Sequence, residues 1–545
     1  MSLRRPCSLA LVAILFALAA PPAAFAQARG LREISTEDMR HWLRYLGSPE
    51  FRGRSAPSVE LDLASRYIAL EAERIGLQPL MPDGSFLQPV PVEVTTIDPA
   101  RTRMRITSRT GELRLSFPES FTSSARAAGD WSASGPVVFA GTVLGAPQPK
   151  WDDQVADLRG KWVVVVDAPS EGGPDQAAEA ARARQRLLQE KGALGIVSLI
   201  SPEREAALQR RTLHFDVAQR LRFLDVDILN PAPAQAAKPQ PPQQSGEDGR
   251  LYSVEVRHAT GAQILGVSLE EMTRLVEGAW KKQFVTPRDV PGRNLDIAVS
   301  FVSRTTSTPN VVAWLPGSDP KLKNEYVVIG AHHDHNPPRE GRLFPGADDN
   351  GSGSVGLLAL AKALVAEHPR RSVIFVWHTA EERGLVGAYY FVQHSPVPVE
   401  KITANLNLDM ISRNDPKSIY LIGSNKLSSH LDASLRRMND RHVQLALDYT
   451  YEDPGHPNRF FFRSDHYPYI RYGIPAVWLF CGTTADYHQE GDAEEKVDYV
   501  KMEKVVRLTY LVALDVGSRP ALLELDLHPE IKTRGAHNMK VIWRR

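Results

Sequence analysis

Apolar residues along this chain follow two alternating rhythms: β-branched runs that stop at histidine or acidic residues, and Leu- and Ala-rich stretches with a three-to-four-residue period. Tyr326-Val327-Val328-Ile329 is a run of the first kind, closing on Gly330-Ala331-His332-His333-Asp334. Unbroken apolarity of that sort marks a strand covered on both faces. After a loop rich in Pro and Gly come Asp348-Asp349-Asn350, and Gly351-Ser352-Gly353-Ser354 then opens a helix carried by Leu357, Leu358, Leu360, Ala361 and Leu364. The order recurs downstream. Ser372–Trp377 leads to His378-Thr379-Ala380-Glu381-Glu382, with a helix past Gly384; Ala404–Leu408 leads to Asp409; Gly473–Phe480 leads to Tyr487-His488 and Asp492. Strand, polar edge, helix predicts an α/β fold with a mixed, mostly parallel sheet flanked by helices. Its polar groups gather at the carboxyl edge, where open α/β sheets bind their ligands.

Upstream the pattern is first helical. Ser35-Thr36-Glu37-Asp38 predicts a helix start followed by a stripe of Met39, Trp42, Leu43 and Leu46. Leu61, Ala64, Ile68, Leu70, Ala72 and Ile75 predict a second helix ending at Gly76. The turn between them, Phe51-Arg52-Gly53-Arg54, is polar and has two readings, a face on a cleft and, the commoner one for any single arginine, a solvated loop. Short alternating runs at Met104–Thr107 and Leu113–Ser116 then predict strands. From about residue 131 to 290 the chain reads as an inserted, mainly β unit. Its markers are Gly135–Gly141, Trp151-Asp152-Asp153 and Leu158–Val166, followed by an Ala/Arg/Gln-rich helix and Lys191–Val197. Residues 231–249 lack side chains that anchor a core and are expected to form a disordered loop. The α/β part is thereby split into 27–130 and 291–518, closed by a helix over Lys501–Val516 and followed by a tail, 519–545.

Composition changes this picture in three ways. A length of 545 residues exceeds one ordinary core, which accords with several units. Lys and Arg number 65 against 64 Asp and Glu, so the overall charge argues against nucleic acid as partner. The first 26 residues carry Arg4 and Arg5, an apolar Ser8–Ala20 run and Ala24-Phe25-Ala26, the features of a cleaved signal peptide. That apolar run is shorter than the ~20 residues that span a bilayer, so no membrane span is expected after cleavage. The protein is expected to be exported, to a periplasm or to the medium. Of its two cysteines, Cys7 lies in the signal, and Cys481 alone permits no internal disulfide.

The strand-end residues His332, Asp349, Glu382, Asp409 and His488 are imidazoles and carboxylates, the nitrogen and oxygen donors that suit zinc. Two ions fit the set better than one. With Asp349 as a bridge, each ion receives one histidine and one further carboxylate. Three carboxylates against two divalent cations leave residual positive charge, which favours a bound hydroxide at neutral pH. Glu381, next to Glu382, stands ready as general base. Asp334, on the strand face of His332, and Asp492 are candidates to orient the imidazoles of His332 and His488.

The order His332-x-Asp334, Gly346-Ala347-Asp348-Asp349, Ala380-Glu381-Glu382-x-Gly384, Leu406–Met410, Ser464-Asp465-His466 and Tyr487-His488 resembles the secreted dizinc aminopeptidases, the family that also includes glutamate carboxypeptidase. The inserted unit resembles the protease-associated domain found within that family. The resemblance implies two zinc ions per chain on the five residues named, with Asp349 bridging and Glu381 as catalytic base. It also implies that Tyr487 donates its phenol hydrogen to the oxyanion of the tetrahedral intermediate, and that the substrates are peptides with a free N-terminus. His335 is a departure, a position that many relatives fill with a smaller residue. The same centre also accommodates a carboxypeptidase or dipeptidase. A one-zinc glutaminyl cyclase and a non-catalytic binding protein are disfavoured by the intact ligand set.

Overall fold

The computed structural model describes residues 27–124, 129–141, 157–166, 174–210, 213–228, 251–281, 287–527 and 534–535. The expected signal segment, Trp151-Asp152-Asp153, the 231–249 loop and most of the tail beyond 527 lie outside the described residues. A ten-stranded mixed sheet organises the molecule. At its centre four strands run parallel in the order Ser372–His378, Tyr326–His332, Ile402–Leu408 and Ala476–Phe480. Every residue of these four strands except Tyr326 is buried, which is why the sequence shows continuous apolar runs there instead of alternation. Antiparallel neighbours flank them, Phe301–Leu315 on one side and Ser418–Ile422 on the other.

The helix Gly353–Ala366 is apolar almost all round because Thr36–Leu46, Val59–Ile75 and Tyr499–Ser518 pack on it in addition to the sheet. Ser35 caps Thr36–Leu46 through its hydroxyl, which accepts from the Glu37 and Asp38 amides. Val59–Ile75 stops at Gly76, whose φ of 106° favours a residue without Cβ. Leu70 does not join the expected stripe; it is 63 % exposed, and Ser65 completes the buried face instead. A second pair of helices, Val386–Gln393 and His466–Arg471, packs together against the sheet. His466 opens the second of them.

A second sheet of eight strands runs through the segment expected to be an inserted unit. It reaches further towards the N-terminus than residue 131, because Arg103–Ser108, Gly111–Leu115 and Phe121–Ser123 all pair within it. The physical reason is a two-stranded stalk. Leu87–Ile97 and Phe301–Leu315 form one uninterrupted antiparallel ladder, from Leu87 opposite Val311 to Ile97 opposite Phe301. Beyond it, Arg103–Ser108 pairs with Arg288–Val299. Gln219–Phe223 then leaves the inserted unit to pair with Leu87–Ile97 in the first sheet.

Candidate metal centre

Parallel pairing brings the ends of the central strands to one edge, and the candidate residues stand at those ends. His332 closes its strand opposite His378, and Asp409 directly follows Leu408 on the neighbouring strand. Glu381 and Glu382 occupy a single 3-10 turn just after Ser372–His378, and His488 lies on the loop after Ala476–Phe480. Asp349 arrives from the opening of the long helix, where its φ of −101° and ψ of 97° break the helical path before Gly353.

The two oxygens of Asp349 face different partners. Oδ1 lies 3.3 Å from His332 Nε2, and Oδ2 lies 3.0 Å from His488 Nε2. His332 Nε2 is also 3.2 Å from Asp409 Oδ1, and His488 Nε2 is 3.1 Å from Glu382 Oε1. One carboxylate is thus shared between a His332/Asp409 group and a His488/Glu382 group, and all five expected ligands meet. His335, whose role the sequence left open, joins the second group with Nδ1 2.7 Å from Glu382 Oε1. Glu381 joins the first, its Oε2 4.0 Å from His332 Nε2. Tyr487 stacks on His488 with ring centroids 3.9 Å apart.

The surrounding bonds hold these groups in place. His332 Nδ1 bonds to the main-chain carbonyl of Asp334 at 3.1 Å, a contact that needs its hydrogen and leaves Nε2 with a lone pair for a cation. The Asp334 carboxylate is 3.8 Å from Nδ1 and instead accepts the Glu381 amide at 3.0 Å. Asp492 accepts the amides of Asp348 and Asp349, each at 3.0 Å, and so fixes the loop of the shared carboxylate, not the His488 ring. Ser464 donates to Asp409 Oδ2 at 2.5 Å. Ala380, Met410, Ser464 and His488 all have positive φ, a backbone cost that clusters beside the ligands.

Arg54 is the supporting residue that sequence reasoning missed. It is 2 % exposed, and its guanidinium donates to the carbonyls of Leu46, His333, Pro345 and Gly346 at 2.7–3.0 Å. It ties the loop after His332 to the loop before Asp349. Burial lowers its pKa to about 10, opposed by Asp492, Asp334 and Asp349, so it remains a cation at neutral pH.

Charge is crowded here. Burial alone would discharge the His332 imidazole, yet Asp409, Glu381 and Asp349 hold its pKa well above the ordinary value. His488 behaves alike: burial opposes the charge, but Asp349 and Glu382 raise its pKa to about 10. Glu381 is pushed well above the usual carboxylate range, first by burial and then by Glu382 and Asp409, against the pull of His332. Such acidity, concentrated around imidazole nitrogens whose lone pairs converge, fits divalent cations of the zinc type. A cleft opens beside it. Asp349, Glu381, Asp409 and Tyr487 share its lining with Met410, Phe460, Trp478 and Phe480, and Arg463 lies on its wall.

Residues 310–513 match the profile of peptidase family M28. The five expected ligands, and Glu381 and Tyr487 with them, fall inside the match. Among curated proteins, a probable leucine aminopeptidase 2 of Aspergillus oryzae is 32 % identical over 246 residues, covering 44 % of this chain and 45 % of that protein. An aminopeptidase of Pseudomonas aeruginosa is 42 % identical over 132 residues, covering 24 % of this chain and 23 % of that one. The chain therefore spans less than half the length of these relatives. The solved structure of BSAP, a zinc aminopeptidase from Bacillus subtilis, shares the fold with a TM-score of 0.50 and 16 % identity, over 90 % of this chain and 97 % of that one.

Proposed function

We propose that this chain is an exported dizinc metallo-aminopeptidase. The observation that carries the reading is the division of Asp349, one oxygen to His332 and Asp409, the other to His488 and Glu382, with Glu381 beside the first group. In this reading His332, Asp409 and Asp349 hold one zinc ion, and Glu382, His488 and Asp349 the other. Zinc bound there would polarise a peptide carbonyl and make water a better nucleophile at neutral pH.

The chain's own groups then divide the work. Glu381, its affinity for protons raised by burial and by neighbouring carboxylates, takes the proton from the attacking water and returns it to the leaving amine. Its amide is held by Asp334 Oδ1, which fixes the turn that aims it. The Tyr487 phenol, kept protonated first by burial and then by the carboxylates around it, donates to the oxygen on which negative charge develops. Glu381 and Asp409 on the cleft lining favour a cationic N-terminal amine, and the apolar wall of Met410, Phe460, Trp478 and Phe480 favours an apolar first side chain. Relatives bearing the name leucine aminopeptidase support the same substrate class. Export rests on the sequence of residues 1–26, and the absence of a membrane-crossing helix among the described residues is compatible with it. The strand and helix order of the inserted unit supports its reading as a protease-associated domain.

Arg463 on the cleft wall favours a second reading, since a guanidinium there suits a substrate α-carboxylate and hence a carboxypeptidase or dipeptidase. One short peptide tested free at both ends, N-acetylated and C-amidated, with zinc and a chelator control, separates the two. Loss of cleavage on acetylation alone establishes the aminopeptidase. Loss on amidation alone moves the assignment to carboxypeptidase.

A further inference from the structure

His335 is wholly buried, and neither of its ring nitrogens has a hydrogen-bond partner. Nδ1 nevertheless stands 2.7 Å from Glu382 Oε1 and 3.8 Å from Asp349 Oδ2, and the ring meets that of His488 edge-on with centroids 5.3 Å apart. A ring nitrogen this close to a carboxylate oxygen yet outside hydrogen-bond geometry points past that oxygen, so a linear hydrogen bond does not account for the approach, whereas a cation held by both donors would. A buried imidazole left unpaired is costly, and a shared cation removes the cost.

The backbone has been shaped to admit this ring. The His335 amide donates to the Arg54 carbonyl at 3.2 Å, so the residue is anchored from behind. On the other side, a Cβ at Gly346 would meet the Asp349 carbonyl oxygen first and would also lie 2.6 Å from His335 Cγ, and Gly346 itself has a φ of 59°. Glycine at 346 thus answers the turn and the approach of the Asp349 main chain, and leaves room for the imidazole as well.

Resting on the dizinc reading, we infer that His335 is a direct ligand of the ion held by Asp349, Glu382 and His488. That ion receives four protein donors, two nitrogens and two oxygens, a set that fills a tetrahedron. The other, on His332, Asp409 and Asp349, receives three and keeps a position open. Asp349, Glu381 and Asp409 line the cleft, and the His488 side chain is itself 34 % exposed. On this assignment the difference between the two ions lies in their donor count: the His332/Asp409 ion, on the side where Glu381 stands, keeps the position for substrate or water, and the His335 ion anchors the shared carboxylate.

The test is metal binding by the full mature chain, read by elemental stoichiometry during chelator competition and by the visible spectrum of the cobalt-substituted protein. The wild type should hold two ions. His335→Ala and His335→Asn should each hold one as tightly as before and release the second at a free-metal level at least about tenfold higher, the lower end of what even supporting residues of metal sites contribute. Asn retains a hydrogen-bond donor towards Glu382, so it separates ligation from mere support, and it also serves if the Ala variant does not fold. His335→Cys should restore the second ion and add a thiolate-to-cobalt charge-transfer band. Wild-type retention of both ions by His335→Asn with an unchanged cobalt spectrum, or absence of the charge-transfer band in a two-cobalt Cys variant, overturns the inference and leaves the dizinc reading standing. A wild type that binds one ion or none removes the dizinc reading itself.

Discussion

Glu381 and Glu382 are neighbours on one 3-10 turn, yet their surroundings push them apart. Burial and the neighbouring Asp349 work against ionisation of Glu382, but His335 and His488 outweigh them and lower its pKa to about 2. Glu381 has only His332 in opposition to burial, Glu382 and Asp409, and its pKa rises. The first is suited to hold a cation and the second to carry a proton, the division of labour expected of paired acids at a catalytic centre. Glu381→Gln should therefore keep both metals, by elemental analysis, while kcat falls by at least about a hundredfold, the lower range of a general base's contribution. A Gln variant with near-normal kcat would take Glu381 out of its role. Asp349→Ala should lose metal together with activity, because each of its oxygens serves a different group. At this scale the sequence was informative where chemistry resides in side chains. It was uninformative where the main chain does the work: the acceptor for His332 Nδ1 is the Asp334 carbonyl, and the partners of Asp492 are amides. Carbonyls and amides are common to every residue and leave no mark in a sequence.

Among elements, the four buried parallel strands were legible because burial on both faces demands apolar side chains throughout. The loops between strand and ligand were not, and Arg54 explains why. Its four acceptors come from Leu46, His333, Pro345 and Gly346, and three of them are nearly three hundred residues away in sequence. From sequence alone an arginine in a Gly-containing turn reads as solvated. In the structure it fastens the two loops that present His332 and Asp349. Arg54→Lys keeps the charge but has a single donor nitrogen in place of the planar fork. Carbonyls left unsatisfied in a buried site cost about 1–3 kcal/mol each, so the variant should lose on the order of 3 kcal/mol of stability by denaturant unfolding. It should also release metal to a chelator more readily than the wild type. Unchanged stability with unchanged metal retention would show that the loops hold their positions without the guanidinium.

At the scale of the whole molecule, the inserted unit is bound to the ligand loop as well as hung on its stalk. Arg204 pairs with Glu340 at 2.7 Å, and Asp216 accepts the Glu340 amide at 2.8 Å, on the loop between His335 and Asp349. The beginning of the unit at Arg103 was hidden because alternating strands look alike whichever sheet they join. Stability of the whole fold also carries a titration at a residue outside the candidate ligand set. His466 opens a helix packed against the sheet, fully buried beside Phe461 and Trp478, and burial lowers its pKa to about 3 despite the neighbouring Asp465. The unfolded chain takes a proton there below the ordinary histidine pKa of about 6.5, while the folded chain stays neutral until about pH 3. Unfolding thus takes up a proton between those limits. The His466 contribution is intact above pH 6.5 and is lost as pH falls, with a slope of up to about 1.4 kcal/mol per pH unit. His466→Phe removes the titration. Its unfolding free energy, measured in denaturant from pH 7 to pH 4, should decline less steeply than that of the wild type by roughly that slope. Parallel curves would mean that His466 is protonated in the folded state, and that acid sensitivity arises elsewhere.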